Sequence, residues 1–422
     1  MICYIAGMLP EQGTVTFSYG KGMVIKMTKE LYYDVVIAGC GVAGLYTALS
    51  LPRNTDILML SKEDIASCDS MLAQGGICVL RDENDFDAYF EDTMRAGHYE
   101  NRKESVEIMI HSSRDIINHL LELGVRFEKN EDGSLAYTRE GAHSKPRICF
   151  HKDITGEEIT TTLLSHVKKL ENVTIMEYTT MTDIIEKDGI CIGMKAMTKD
   201  RDLLYIYASD TVMATGGIGG LYEHSTNFPL LTGDACRIAR EHGVALEHMD
   251  YVQIHPTCLY STKPGRSFLI SESARGEGAI ILNHKGERFV DELLPRDVVT
   301  EAIEKEMEKE GTRYEYLSFE KVPENIIKEH FPNIYQKCLE EGYDLLKEPI
   351  PIVPAQHYFM GGVHVDRDSQ TTMEHLYAVG ETSCNGVHGK NRLASNSLLE
   401  SLVFARRAAA KISNYTKESI KS

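Results

Sequence analysis

The first strong hydrophobic pattern of the chain is a run of β-branched and other apolar residues at positions 33–38 that leads directly into a glycine-rich turn. Residues 43–51 follow as an Ala- and Leu-rich segment of helical character, and a second apolar run occupies residues 56–60. Short apolar strands that flank a helical segment are typical of a parallel sheet. The pattern therefore predicts a βαβ unit at the start of an α/β fold.

The rest of the chain alternates between further predicted helices and strands, with no internal repeat at a fixed period. Residues 86–123 have a helical pattern, residues 173–210 alternate like a β-meander, and residues 211–214 read as a further buried strand before a second glycine-rich turn. We predict later helices at residues 231–242, 296–310 and 397–412.

A change in the sequence pattern within the chain indicates an inserted domain. Between residues 250 and 356, loops and charged helices replace the glycine-rich strands, which return near Phe359. We therefore predict a Rossmann-like nucleotide-binding domain of α/β type, residues 30–249 and 357–422, split by an inserted α+β capping domain, residues 250–356. We interpret residues 1–29 as an N-terminal extension, for which disorder is one explanation.

The composition excludes several classes of function. The 422-residue chain has a formal net charge of −18, whereas a nucleic-acid surface needs a basic field, so nucleic acid is not an expected partner. The apolar runs are shorter than the ~18–20 residues of a membrane span, and the first residues lack the pattern of a secretory signal. The ten cysteines form no C-x-x-C pair, which predicts reduced thiols in a cytoplasmic protein and no bound metal.

A Gly-x-Gly-x-x-Gly motif, built from Gly39, Gly41 and Gly44, lies between the first predicted strand and helix. In such a turn, the first glycine permits the tight bend, the second lets the backbone approach a pyrophosphate, and the third lets helix and strand pack closely. The helix N-terminus then favours the phosphate charge. About 20 residues on, where an NAD site places an acidic residue, this sequence has Ser61 and Lys62, which argues against NAD and leaves FAD open.

Six further segments resemble, in order and spacing, the succinate dehydrogenase/fumarate reductase/L-aspartate oxidase flavoprotein family. The resemblance extends from residue 33 to residue 412 and implies an FAD enzyme that acts on a small dicarboxylate. The segments are S-M-L-A-Q-G-G at 70–76, A-T-G-G at 214–217, T-G-D-A at 232–235, Q-I-H-P-T at 253–257, R-G-E-G at 275–278 with P-R-D at 295–297, and G-E at 380–381 with N-R-L-A-S-N-S-L at 391–398.

This resemblance implies a set of FAD contacts. The expected residues are Gly39, Gly41, Val42, Ala43, Gly44, Ser61, Lys62, Ser70, Ala73, Gln74, Gly75, Gly76, Asp234, Glu381, Ser397 and Leu398. Backbone amides at residues 74–76 suit the N5 and O4 edge of a flavin, and the carboxylates of Asp234 and Glu381 suit ribityl or ribose hydroxyls. The helix that opens at Ser397 presents its N-terminus to negative charge on the reduced flavin.

Two positions separate members of this family. Members that bind FAD covalently use a His five residues before the Gln of A-Q-G-G, and Asp69 stands there in this sequence, so we expect non-covalent FAD. The loop T-R-E-G-A-H-S at residues 138–144 resembles the version in members that oxidise aspartate. A carboxylate in an otherwise cationic site makes sense if Glu140 meets the ammonium group of aspartate.

The resemblance also implies residues for substrate binding and catalysis. Fixed cations suit the two carboxylates of a dicarboxylate, and Arg binds a carboxylate in bidentate fashion. The expected catalytic residues are Arg296, His255, His357 and Glu272. The expected substrate-binding residues are Glu140, Gln253, Ser271 and Arg392. Because a guanidinium is a poor base in water, we expect Arg296 to transfer protons only in a closed site and with Glu272 as a relay.

The implied reaction is hydride transfer from Cα of L-aspartate to flavin N5, which gives iminoaspartate for quinolinate and NAD biosynthesis. We expect oxygen or fumarate to reoxidise the flavin, and a functional link to quinolinate synthase. Typical aspartate-oxidising members continue into a helical C-terminal domain, which we expect to be absent from this chain. Two alternatives stay open: a soluble fumarate reductase or succinate oxidase, and a non-catalytic flavin-binding protein.

Overall fold

A computed structural model describes residues 18–19, 23–24, 26–263 and 265–419 of the chain. Most of the expected N-terminal extension, and with it the interpretation as disorder, lies outside these described residues. None of the described helices is long and apolar enough to cross a membrane. The described chain forms a larger region around a mixed sheet and a smaller region around an antiparallel sheet.

The secondary structure follows the chain in this order. Strands β1 to β10 are Ser18–Tyr19, Met23–Val24, Thr28–Ala38, Ile57–Leu60, Ile77–Cys78, Ile148–Cys149, Val173–Met176, Thr179–Lys187, Ile190–Thr198 and Leu203–Met213. Strands β11 to β19 are Leu246–Glu247, Val252–Leu259, Phe268–Leu269, Ile280–Leu282, Glu315–Ser318, Ile350–Phe359, Gly362–His364, Leu376–Ala378 and Ser383–Cys384. Helices α1 to α10 are Val42–Ser50, Phe86–Ala96, Lys103–Glu122, Thr155–Val167, Asp234–Glu241, Glu272–Gly276, Arg296–Glu310, Glu324–His330, Pro332–Glu340 and Ser397–Ser419.

A seven-stranded sheet forms the centre of the larger region, in the order β7-β4-β3-β10-β9-β8, with β18 also paired to β10. Strands β3, β4, β7, β10 and β18 are parallel, and β8 and β9 extend the sheet in antiparallel fashion. Because successive side chains of a strand point to opposite faces of the sheet, β3 contributes residues to two hydrophobic cores. Val35 and Ile37 pack in the core that contains α1 and α10, and Val36 and Ala38 pack in the core that contains α5. The predicted βαβ unit and α/β class are confirmed.

Three elements differ from the expectation. Strand β3 begins at Thr28, inside the expected N-terminal extension. Strand β10 continues through residue 211 as one element, because it pairs with β3 along nearly its whole length. The helix predicted at residues 86–123 is two helices, α2 and α3. His98 and Tyr99 between them both have a φ of 59°, a left-handed conformation that a helix does not accommodate.

The smaller region is an antiparallel five-stranded sheet in the order β13-β12-β16-β15-β14. Its core includes Ile281 of β14, Ile303 of α7 and Ile334 of α9. Helix α7 has the bounds that the sequence predicts, and it packs against β12. Since His255 lies on β12, His357 on β16 and Arg296 at the first position of α7, this region carries three of the predicted site residues.

Candidate active site

A cavity that is partly open to solvent is lined by residues of both regions. Its wall includes the β3–α1 turn, the segment before β5, the starts of α5 and α10, and residues of β12, α6, α7 and β16. Cofactors and substrates commonly bind in cavities that lie between two parts of a chain. Every residue expected to contact FAD lines this cavity except Gly44.

Close backbone packing explains two glycines of the β3–α1 turn. A Cβ atom on Gly44 would lie 2.1 Å from the carbonyl oxygen of Gly39, and one on Gly39 would lie 1.9 Å from the carbonyl oxygen of Ala214. Gly39 also has a φ of +116°, which favours glycine. Gly44 therefore does not line the cavity, but its lack of a side chain lets α1 pack closely against β3.

The start of α1 is open toward the cavity. Gly41 provides no side-chain cap, and the amide of Val42 donates to Oγ of Ser70 at 3.1 Å. Val42 and Ala43 both line the cavity, so the first turn of the helix faces it. Unpaired amides and the helix dipole suit a pyrophosphate at this point.

A network around Lys62 closes the neighbouring part of the wall. Its Nζ donates to Oδ2 of Asp234 at 2.7 Å, to Oγ1 of Thr232 at 2.9 Å and to the carbonyl of Leu230 at 2.9 Å. This contact joins the end of β4 to the start of α5. It holds Asp234 at the cavity wall, where the carboxylate is available to ligand hydroxyls.

Two largely enclosed carboxyl groups, Asp69 and Glu381, also belong to the wall. Oδ1 of Asp69 accepts a hydrogen bond from the amide of Phe228 at 2.9 Å, and Oε1 of Glu381 accepts one from the amide of Phe359 at 2.9 Å. Desolvation raises the pKa of Asp69 to about 7, and desolvation together with Asp69 raises the pKa of Glu381 to about 8. Oδ2 of Asp69 has no hydrogen-bond partner within the described chain. Such groups fit a ligand that carries several hydroxyls, as FAD does.

Four further side chains of the cavity wall are the guanidinium groups of Arg296 and Arg392 and the imidazoles of His255 and His357. The two imidazole rings meet edge to face with their centroids 5.2 Å apart. Nδ1 of His255 accepts a hydrogen bond from the amide of Thr257 at 3.2 Å, which assigns the ring proton to Nε2. This Nε2 has no partner among the described residues, so its proton is available to a ligand.

The electrostatics divide the roles of these groups. Burial, and then the charge of Arg296, lower the pKa of both His255 and His357 well below the usual value. Both imidazoles are therefore neutral near pH 7 and act as hydrogen-bond donors without charge. Among these four groups, the positive charge therefore rests on the two guanidinium groups.

Arg296 is held from two sides. Its Nε donates to Oε2 of Glu272 at 2.5 Å, and its Nη1 donates to Oε1 of Gln253 at 2.7 Å. Burial opposes ionisation of Glu272, but the charges of Arg296 and Arg275 outweigh it and lower the pKa of this carboxyl. Glu272 is thus an ionised partner that fixes the orientation of Arg296.

Arg392 is fixed by different contacts. Its Nη1 donates to Oγ of Ser397 at 3.0 Å, and its guanidinium carbon lies 4.4 Å from the centroid of the Tyr358 ring, a cation–π distance. Burial, and then the charge of Arg296, lower the pKa of Arg392 to about 10. The group therefore stays cationic near pH 7, and its Nε has no partner among the described residues.

Glu140 reaches the same cavity from the loop before β6 and is buried. Its Oε1 accepts a hydrogen bond from Oγ of Ser273 at 2.9 Å, and its Oε2 accepts one from Oγ of Ser395 at 2.5 Å. Burial, and then the charge of Glu272, raise the pKa of Glu140. The structure thus brings Glu140, Arg296 and Arg392 to one cavity, as the sequence leads one to expect.

Gln253 differs from the expectation, because it does not line the cavity. Its amide is occupied on both sides: Oε1 by Arg296, and Nε2 by Oδ1 of Asn391 and the carbonyl of Arg392. The side chain of Gln253, for which the sequence predicts a substrate contact, instead contacts Arg296, Asn391 and Arg392. Ser271 lines the cavity, and its hydroxyl caps the start of α6.

Sequence reasoning missed several residues of the site. Tyr358 lines the cavity beneath Arg392, and Ser273 and Ser395 contact Glu140. Ser395 lies within the N-R-L-A-S-N-S-L segment that carried the resemblance, so its position was a usable signal. Ser273 lies two residues from the predicted Ser271 and had no signal of its own.

Comparison with known proteins decides the family. Residues 34–398 match the family model of the FAD binding domain. An L-aspartate oxidase of Clostridium perfringens is 51% identical to this chain over 383 residues, which cover 90% of this chain and 87% of the relative. The chain belongs to the L-aspartate oxidase family. Another member, from Clostridium acetobutylicum, is 49% identical over 382 residues, which cover 90% of this chain and 88% of the relative.

Solved structures place the L-aspartate oxidase fold of this chain among the fumarate reductases. A variant of E. coli quinol fumarate reductase superposes with a TM-score of 0.86 at 32% identity and covers 93% of this chain and 71% of its own. A flavocytochrome c3 fumarate reductase in its open conformation, at 22% identity, shares the fold with a TM-score of 0.72 and covers 91% of this chain and 78% of its own. The chain is therefore an FAD-dependent oxidoreductase, and the resemblance on which the sequence analysis relied is confirmed.

Proposed function

We propose that this chain oxidises L-aspartate to iminoaspartate with a non-covalently bound FAD. The observation that carries the proposal is the meeting, in one cavity, of the Arg296 and Arg392 guanidinium groups with the Glu140 carboxylate. Two cations match the two carboxylates of aspartate, and a carboxylate matches its ammonium group. FAD, when bound, supplies the hydride acceptor for the oxidation.

The cofactor end of the cavity supports this assignment. The open start of α1 is suited to the pyrophosphate, and Asp234 and Glu381 are suited to hydroxyls. The N-terminus of α10, which begins at Ser397, is suited to an anionic flavin edge. Asp69 lies in the wall where covalent members of the family place a His, and a carboxyl group does not form that linkage, so the cofactor is held by non-covalent contacts.

The substrate end orients aspartate for oxidation. Arg296 and Arg392 bind the carboxylates, and His255 and His357 add neutral donors. Glu140 takes the ammonium group and so fixes the direction of the Cα–H bond. The ammonium must lose a proton before its Cα can give up a hydride. Arg296 can pass a proton from its Nε to the ionised Glu272 at 2.5 Å and take up the ammonium proton in its place, so that the proton ends on the Glu272 carboxylate.

The domain and partner assignments extend this proposal. Residues 30–249 and 357–422 form the FAD-binding domain and residues 250–356 the capping domain, with the site between them so that closure excludes water. Oxygen or fumarate would accept the electrons of the reaction, and the product would feed quinolinate and NAD biosynthesis through quinolinate synthase in the cytoplasm. The free cysteines among the described residues agree with a reducing compartment.

Anaerobic titration of the purified holoenzyme tests the proposal. We expect L-aspartate to bleach the visible flavin band and succinate to leave it unchanged. Bleaching by succinate alone would assign the chain instead to the soluble fumarate reductases or succinate oxidases. A stable flavin spectrum with both compounds would indicate a non-catalytic flavin-binding protein.

A further inference from the structure

Two serine hydroxyls hold the Glu140 carboxylate, one on each oxygen. Ser273 belongs to α6 of the smaller region and donates to Oε1 at 2.9 Å, whereas Ser395 precedes α10 of the larger region and donates to Oε2 at 2.5 Å. Glu140 is 4% exposed and Ser395 is 7% exposed, so water does not compete well for these bonds. With both oxygens tied, the carboxylate does not rotate freely in the cavity wall.

The loop that carries Glu140 is itself fixed to the Ser395 segment. The buried Arg147 donates to Nδ1 of His143 at 3.1 Å and also pairs with Asp85 and Asp92. Since Arg147 has only donors, Nδ1 of His143 accepts and its Nε2 donates to the carbonyl of Ala394 at 3.0 Å. Burial, and then the charge of Arg147, lower the pKa of His143 to about 4, so the neutral tautomer persists. These hydrogen bonds connect the loop that carries Glu140 to the segment that carries Ser395.

Because of the charges around Glu140, the hydroxyl groups that contact it affect its ionisation. Glu272 and Arg275 of α6, Arg296 of α7 and Cys78 of β5 interact electrostatically with this carboxyl. Glu272 opposes ionisation, and burial opposes it more strongly. Hydrogen bonds from Ser395 and Ser273 favour the charged form, which is the form that attracts an ammonium group.

We propose that Ser273 and Ser395 are specificity-determining positioning residues, which hold the Glu140 carboxylate so that the site accepts an amino dicarboxylate. This inference rests on the proposed function. The two hydroxyls need not touch the substrate. They act through Glu140, so their removal must weaken binding of aspartate and leave binding of a dicarboxylate without an amino group intact.

Steady-state kinetics of the holoenzyme with four variants tests the inference. Ser273→Ala and Ser395→Ala should each raise the KM for L-aspartate about tenfold, the loss of one hydrogen bond to a charged group. The Ki of succinate as a competitive inhibitor should stay within about twofold of wild type. Ser395→Thr, which keeps the hydroxyl, should restore most of the aspartate affinity. Ser105→Ala removes a buried serine bond to the Asn385 carbonyl outside the cavity and should change neither constant.

The pH profile supplies a second readout. Because the hydroxyls favour ionised Glu140, their removal should move the acid limb of kcat/KM for aspartate to higher pH. Equal losses for aspartate and succinate, or an unchanged aspartate KM in both alanine variants, would overturn the inference. Failure of the wild-type enzyme to oxidise aspartate would instead overturn the proposed function. If Glu140→Gln weakens aspartate binding and neither serine variant does, the proposed function stands and the role of the serines is wrong.

Discussion

The side-chain oxygen of Gln253 accepts a hydrogen bond from Nη1 of Arg296 at 2.7 Å. The amide nitrogen of the same side chain donates to the main-chain carbonyl of Arg392 at 2.8 Å. Gln253 thereby joins β12 to the first residue of α7 and to the loop before α10. Because its side chain is buried, these bonds are shielded from water. A residue outside the cavity thus sets the relative position of the two cations inside it.

Replacement of this link should impair catalysis more than cofactor binding. Gln253→Ala removes a buried acceptor from a charged donor, a loss worth ~1.5–3 kcal/mol. We expect kcat/KM for L-aspartate to fall roughly 10- to 100-fold at an unchanged FAD content. Gln336→Ala, on an exposed position of α9, serves as the matched control. Wild-type kcat/KM in the Gln253 variant would refute the positioning role.

Glu272 balances the charge of two buried guanidinium groups, those of Arg275 and Arg296. Glu272→Gln keeps the shape of the side chain and removes the charge, which breaks the direct ion pair of each cation. We expect the free energy of unfolding to fall by about 3–5 kcal/mol in chemical denaturation. Glu301→Gln breaks the exposed pair with Lys305 on the same helix as Arg296 and should have little effect. Similar losses in the two variants would contradict this account.

Local signals made part of this molecule predictable. The α7 helix has its predicted bounds, and Gly39 marks the β3–α1 turn, because helical periodicity and turn chemistry depend on neighbours in sequence. The environment of Glu140 was not predictable in this way. Ser273 and Ser395 lie 133 and 255 positions away from it, and only the tertiary fold brings the three together. The motif around Ser395 marks a functional segment without showing which side chain it meets.

Long-range contacts also explain two differences between the expectations from the sequence and the structure. The sequence predicts a strand boundary at residue 211 because the local polarity changes there. In the structure β10 is continuous across this position because it stays paired with β3. The substrate role expected for Gln253 follows from the family resemblance of the Q-I-H-P-T segment at residues 253–257. Residues two apart lie on the same face of a regular strand, but the β12–β16 register shifts between Gln253 and Ile254. The side chain of Gln253 donates to Asn391 and Arg392.

The cofactor turn should not tolerate a methyl group at Gly44. An Ala Cβ there would lie 2.1 Å from the carbonyl oxygen of Gly39, so α1 would have to move away from β3 and take its N-terminus with it. We expect Gly44→Ala to lower the bound FAD at least about tenfold, as measured by flavin absorbance per protein. Gly133 has a φ of +84°, but the space around its added Cβ atom is open, so the Gly133→Ala variant should keep its FAD. Full FAD occupancy in the Gly44 variant would show that the helix does not need this contact.

The carboxyl group of Glu381 should make the stability of the apoprotein depend on pH. Its pKa in the folded chain is about 8, against an ordinary value of 4.5, because desolvation and the neighbouring Asp69 disfavour the charged form. The folded chain therefore binds this proton more tightly than the unfolded chain does. The destabilisation is complete above the folded pKa and is relieved as pH falls from about 8 toward 4.5.

Removal of this charge should therefore stabilise the apoprotein only on the alkaline side. We expect Glu381→Gln to raise the free energy of unfolding at about pH 9 by on the order of a few kcal/mol, and to change it little at about pH 5. Urea denaturation of the FAD-free protein at both pH values measures the difference. Glu63→Gln, at an exposed position near the same cavity, should follow the wild type at both. An equal gain at the two pH values would mean that Glu381 acts through packing, since only its ionisation depends on pH.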